Sequence, residues 1–116
     1  IDEATMRRRL DHVWQVWDWP TTWGWDYPVI AMTAARGGEP ERAIDALLVN
    51  TPKNGYLANG HNYQRANLPL YLPGNGGLLY ATALMAAGWA GAPKRNAPGF
   101  PTNGWVVRHE GLRVAP

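Results

Sequence analysis

The sequence predicts a mainly α-helical domain of helical hairpins with a short β segment near the C-terminus. Three features carry that expectation. Met6, Leu10, Val13, Trp14 and Trp17 recur at helical spacing. Two proline-opened segments, from Pro28 and from Pro40, flank Gly37-Gly38. From Leu78 to Trp89 nearly every residue is apolar.

The first helix has Arg7, Arg8, Asp11 and Gln15 on its other faces and ends by Asp18-Trp19, because Pro20 cannot continue it. Residues 20–27 form a loop carrying Trp23 and Trp25. Pro28 suits a first helical position, and the helix through Val29, Ile30, Met32 and Ala35 stops at Gly37-Gly38. The next helix opens at Pro40 and buries Ala43, Ile44, Leu47 and Leu48, and so short a turn makes the two antiparallel neighbours. Residues 50–76 are an extended polar segment rich in Asn, Gly, Pro and Tyr, of a kind that is usually functional when it interrupts a compact domain.

Gly76-Gly77 then leads into a helix over residues 78–89 with almost no polar face, which predicts burial on all sides. The three other helices scarcely surround it. Its remaining neighbours are expected from the rest of a larger chain or from self-association. Residues 90–104 read as a Gly/Pro-rich loop and Trp105 to His109 as a weakly alternating strand. The 116 residues thus divide into hairpins over 1–89 and a loop with a short β segment over 90–116, within one domain or fragment.

Composition narrows the function. The net charge of +2 is spread thinly, with one basic cluster at Arg7-Arg8-Arg9, so no nucleic-acid stripe is expected. No apolar run approaches the roughly 20 residues that span a bilayer, so no membrane partner is expected. With no cysteine, no His-Glu-x-x-His and three dispersed histidines, no metal or cofactor is implied. No signal peptide is legible, and since the chain starts at Ile1 this assigns no compartment. The aromatic balance is unusual: seven tryptophans stand against one phenylalanine, five of them between Trp14 and Trp25. An indole offers a flat apolar face and one N–H donor, which suits the C–H face of a sugar as well as it suits a core.

Two stretches concentrate chemistry. Trp17 to Pro28 sets Asp18 and Asp26 among tryptophans, and glycoside hydrolysis uses carboxyl groups flanking the scissile bond. Asp26 is the candidate catalytic carboxylate, with Trp19, Trp23 and Trp25 as sugar-stacking surfaces. A helix-capping role for Asp26 and a turn or solvated role for Asp18 stay open. The second stretch, Asn54 to Arg65 followed by Leu72 to Gly77, offers His61, Asn62, Gln64, Arg65 and Asn75 as partners for sugar hydroxyls or a uronate carboxylate. The N–H groups of Gly74-Asn75-Gly76-Gly77 are candidates to receive an oxygen ligand.

The phrases Trp23-Gly24-Trp25-Asp26-Tyr27-Pro28, Gly37-Gly38-Glu39-Pro40-Glu41-Arg42-Ala43, Leu72-Pro73-Gly74-Asn75-Gly76-Gly77-Leu78-Leu79 and Gly111-Leu112-Arg113 resemble, in their order, the closing part of six-hairpin glycosidases. The nearest are the fucosidase-like and trehalase/maltose-phosphorylase-like (α/α)6 barrels. The resemblance implies part of an (α/α)6 toroid and a C-terminal segment of a glycoside hydrolase. It implies an oligo- or polysaccharide substrate, inverting acid/base hydrolysis and a secreted or periplasmic setting. The family's acid glutamate lies in an earlier hairpin outside this chain. Where fucosidase-like members often have an aspartate before the last Gly-Asn, this sequence has Pro73, which leaves Asp26 as the local carboxylate. The alternatives are a polysaccharide lyase using His61, Asn62, Tyr63 and Arg65, and a non-catalytic carbohydrate-binding or scaffold segment.

Overall fold

A computed structural model describes residues 2–116. It is mainly helical: α1 (Glu3–Val16), α2 (Asp26–Arg36), α3 (Pro40–Leu48) and α4 (Leu72–Ala87), with single 3-10 turns at Trp19–Thr21 and Pro52–Asn54. The strands β1 (Gly55–Tyr56) and β2 (Asn62–Tyr63) pair antiparallel, with Gly55 opposite Tyr63 and Tyr56 opposite Asn62.

Local chemistry sets the helix ends. Asp2 caps α1 by accepting from the Thr5 N–H at 2.9 Å, and the Thr5 hydroxyl at 2.7 Å, with that N–H behind it, draws the Asp2 carboxyl below its usual range. After α2, Gly38 takes a left-handed φ of 75° and turns the chain into α3. The hairpin follows as expected: α2 is the central helix and packs on α1, α3 and α4. Its core positions Ala31, Ala34 and Ala35 face Ala43 and Ala46 of α3, all buried, and small side chains allow the close approach. Where α4 crosses the start of α2, a β-carbon on Gly77 would lie 2.7 Å from Pro28 Cγ, so only glycine fits that crossing.

Four expectations are corrected. First, α2 begins at Asp26 rather than Pro28, since the turn of residues 23–26 already winds helically. Second, α4 begins at Leu72, with Pro73 in its first turn, so Gly74 to Gly77 are helical residues. The Gly74 and Asn75 N–H groups are bonded to the Tyr71 carbonyl at 3.0 and 3.4 Å, and they are not free for an oxygen ligand. Third, no strand forms over Trp105 to His109. The only pairing in that tail is a bridge of Ala115 with Trp89, and the two-stranded sheet lies instead inside the polar segment 50–76. Fourth, α4 is not enclosed: Leu84 and Met85 are buried, but Leu72, Leu79 and Tyr80 face outward, Leu79 with 71% of its surface exposed.

The tail still belongs to the single core. Ala97 and Phe100 are buried with Met85 and Trp89, and the Gly99 N–H donates to the Met85 carbonyl at 2.9 Å. Arg95 ties the tail's turn by donating to the carbonyls of Ala97, Pro98 and Phe100. Between α3, α4 and this tail runs a groove of about 570 Å³ lined by Ile44, Leu47, Leu48, Leu78, Phe100 and Trp105. The accessible surface is 7265 Å². A compact monomer of this mass exposes about 6,300 Å². Leu72, Leu79 and Tyr80 on the outer side of α4 contribute to that exposed surface, and no helix among the described residues is long and apolar enough to cross a membrane.

The asymmetry of α4 yields a direct comparison. Leu84→Ala should lower the unfolding free energy by about 2–5 kcal/mol, the range for emptying a buried leucine site. Leu79→Ala should change it by less than about 0.5 kcal/mol in dilute solution. Urea melts followed by circular dichroism measure both. Equal losses would mean that α4 buries a different face.

Candidate functional site

The polar segment 50–76 is organised around two amide side chains. Asn62, on β2, has none of its surface exposed, and Gln64 has 4%. Two positions apart on an extended chain, both side chains point to the same side. Asn62 Nδ2 donates to the carbonyls of Gly55 at 3.0 Å and Lys53 at 3.3 Å. Gln64 Nε2 donates to Asn62 Oδ1 at 3.0 Å and to the Lys53 carbonyl at 2.9 Å. Gln64 Oε1 accepts from the Gly24 N–H at 2.9 Å. The Asn62 backbone is held as well: its N–H donates to Asn75 Oδ1 at 3.0 Å and its carbonyl accepts from the Tyr71 N–H at 2.9 Å.

Four segments therefore meet at one amide pair: the Trp-rich loop at Gly24, the 3-10 turn at Lys53, the hairpin itself, and the start of α4. Their backbones approach so closely that a β-carbon on Gly24 or on Gly74 would overlap the Asn62 side chain. No buried side-chain polar atom among the described residues lacks a partner.

Pinned at buried Gly24, the loop directs its two flanking indoles outward. Trp25 keeps 49% of its surface exposed and Trp23 keeps 38%. The Tyr71 ring lies 5.4 Å from the Trp23 ring, centre to centre. Lys53 Nζ lies 5.1 Å and Arg65 Cζ 5.9 Å from the centre of the same indole. Asp26 completes the group: its Oδ2 accepts from the Trp23 N–H at 2.8 Å. Its charge is close enough to contribute to the raised pKa of the Tyr71 phenol, behind the larger effect of burial.

The structure thus gathers Trp23, Asp26 and Arg65, leaves Trp25 exposed beside Gly24, and separates the other candidates from them. Trp19 turns inward, edge-on to Trp14 at 5.4 Å and stacked on buried Tyr27 at 5.9 Å, where it joins α1 to the core. Asn62 and Gln64 are enclosed, and Asn75 spends its amide on the Asn62 N–H and the Gly60 carbonyl, so these three position the loop. His61 is half-buried, with its N–H donating to Asn59 Oδ1. Asp26 does not cap α2, whose N-cap is Trp25 with no side-chain bond, but it lies in the first turn at the favourable end of the helix dipole, and its Oδ1 has no hydrogen-bond partner among the described residues. No three His, Cys, Asp or Glu side chains among the described residues converge on a metal-sized site.

Lys53 and Tyr71 were absent from the sequence-based set. The available signal for Lys53 was its isolation, since it and Arg65 are the only charged residues between Asp45 and Lys94. Nothing in the local sequence marks Tyr71, whose place follows from α4 starting at Leu72.

Two outcomes follow. Asn62→Ala removes the amide that donates to the Gly55 and Lys53 carbonyls and accepts from Gln64, and should cost at least about 2 kcal/mol in a urea melt. Asn50→Ala, at an exposed position, should cost under about 0.5 kcal/mol. Burial raises the pKa of both Tyr56 and Tyr71 above the ordinary 10.0. The stability their neutral forms contribute is present below pH 10 and lost as pH rises through the folded-state values. Asp26→Asn should move the Tyr71 midpoint down toward 10.0 without reaching it and leave Tyr56 in place, as read by carbon NMR of the tyrosine rings. An unmoved Tyr71 would separate the two groups. Comparison of the chain with protein-family models, curated proteins and solved structures finds no match.

Proposed function

We propose that this chain is a saccharide-binding helical segment of a glycoside hydrolase, with Trp23 and Trp25 as the stacking surfaces of a glycan groove. The observation that carries the reading is the pair of solvent-open indoles on either side of buried Gly24. An indole left half in water forgoes a large part of the free energy its burial would give. Here two are held open on either side of the Gly24–Gln64 bond, while Trp14, Trp19 and Trp89 pack on the core; Trp17 and Trp105, exposed to a similar degree, lie outside this loop. A sugar's C–H face supplies the missing apolar partner.

In this reading Asp26 Oδ1 serves as the base that takes a proton from water, and Oδ2 keeps the carboxylate oriented through the Trp23 N–H. Inverting hydrolysis needs an acid on the opposite side of the glycosidic oxygen, roughly 6.5–9.5 Å from the base. That acid comes from outside this chain, as the six-hairpin resemblance implies. Arg65 stands at the rim, and Asn62, Gln64 and Asn75 act through the loop they hold. The exposed side of α4 and the apolar groove beside it support packing against further helices, from the remainder of a toroid or from a second copy. A lyase is less favoured, because the enclosed Asn62 amide has no access to a uronate.

The bond of Asp26 to the Trp23 N–H, a structural use of the carboxylate, favours one second reading, a segment that binds saccharide without acting on it. Titration calorimetry with a panel of oligosaccharides tests the shared part. Trp23→Ala should weaken binding at least about tenfold, or about 1.4 kcal/mol, with the fold intact. Unchanged affinity would remove the indole from the site. In the hydrolytically active assembly, Asp26→Asn should lower kcat by about a thousandfold or more, equivalent to about 4 kcal/mol. Full turnover would leave binding as the chain's role.

A further inference from the structure

We infer that the saccharide at Trp23 bears an anionic group, a carboxylate or a sulfate, and that Lys53 and Arg65 receive it. This rests on the saccharide reading above and narrows its ligand. The first support is what the site has left to offer. Asn62, Gln64 and Asn75, the amides suited to neutral hydroxyls, are consumed by internal bonds. The polar heads remaining beside Trp23 are two cations, one carboxylate and the Tyr71 phenol, so the cations are the only charged donors.

The second support is convergence. Lys53 and Arg65 come from different segments, yet both lie within 6 Å of one indole centre. Their backbones are fixed: the Lys53 carbonyl accepts from both Asn62 and Gln64, and Arg65 is bonded to Leu68 in a tight turn. Among the described residues neither cation has an acidic partner, whereas Arg7 and Arg42 are both paired with carboxylates. Asp26, bonded under Trp23, opposes only one of the two charges.

The third support is the distribution of charge along the chain. Eight of the nine acidic residues lie at or before Asp45, and none lies between Asp45 and Glu110. The 50–76 segment and α4 therefore carry positive charge alone, and Asp26 at the end of the Trp-rich loop is the carboxylate set beside them. A guanidinium fork meets two oxygens of a carboxylate or sulfate, and an ammonium adds a point charge beside it.

The test is binding by the 116-residue chain, read from tryptophan fluorescence. The probes are size-matched tetrasaccharides: oligouronides, sulfated galactans and neutral gluco-, xylo- and galacto-oligosaccharides. At least one anionic set should bind about tenfold more tightly than its neutral counterpart at low salt. The preference should shrink toward parity at about 0.5 M salt, where screening reaches only a few ångströms. The set that binds distinguishes carboxylate from sulfate. Lys53→Gln with Arg65→Gln should remove most of the preference and leave neutral binding in place, while Lys53→Arg retains it. Neutral binding equal to anionic, or a preference indifferent to salt and to these substitutions, overturns the anion inference and leaves the saccharide reading standing. No binding of any probe overturns both.

Discussion

The buried Asn62–Gln64 amide pair is the constraint on which the rest of this structure turns. An amide taken out of water without a partner costs several kcal/mol, so a buried pair is tolerable only when all its donors and acceptors are met. Here they are met by the backbone groups of Gly24, Lys53 and Gly55 and by the bond between the two amides, while Tyr71 at the start of α4 holds the Asn62 carbonyl, and withdrawing Gly24 strands the Gln64 oxygen. Such a network is all-or-none in character. It converts a polar stretch with only four strand residues into a fixed scaffold, and it demands glycine at 24 and 74, where any side chain would collide with Asn62.

The scaffold explains why Trp23 and Trp25 differ from Trp14 and Trp19. Upstream of the pinned Gly24, Trp14 and Trp19 continue the packing of α1 onto Tyr27, whose hydroxyl donates to the Trp19 carbonyl and also contacts the Thr22 and Thr51 hydroxyls. On either side of Gly24 the loop cannot fold inward without losing its bond to Gln64, so Trp23 and Trp25 stay at the surface. Lys53, Arg65 and Tyr71 then gather on Trp23 because their own backbones are tied to the same amides or to the turn beside them. Aromatic surface, cations and the Asp26 carboxylate share one face for a mechanical reason, which is what makes that face a candidate for a ligand of mixed apolar and ionic character.

Much of the helical frame was legible in the sequence, and most of the site was legible in kind. The period of Met6 to Trp17, the glycine turn after Arg36 and the proline at 40 act locally, and α1, α2 and α3 lie where those signals put them. The start of α4 was hidden because three glycines argue against helix by propensity. Two of them are required by close approach, Gly74 to Asn62 and Gly77 to Pro28, and tertiary contact overrides propensity. The alternation at Trp105 to His109 failed as a strand signal because no partner edge comes alongside it; Asn96 Nδ2 bonding to the Val107 carbonyl takes the place of a ladder. The amides at 62 and 64 were noticed for the right residue types and given the wrong side. Their spacing of two places both on one face of a strand, and whether that face is buried depends on Gly24 arriving from 40 residues away.

The most direct measurement of the central claim is an NMR titration of the seven indole N–H resonances with saccharide. The account predicts that the Trp23 and Trp25 signals move together and saturably while those of Trp14, Trp19 and Trp89 hold still. Largest shifts at the packed indoles, or an undisturbed Trp23 in the presence of bound sugar, would contradict it.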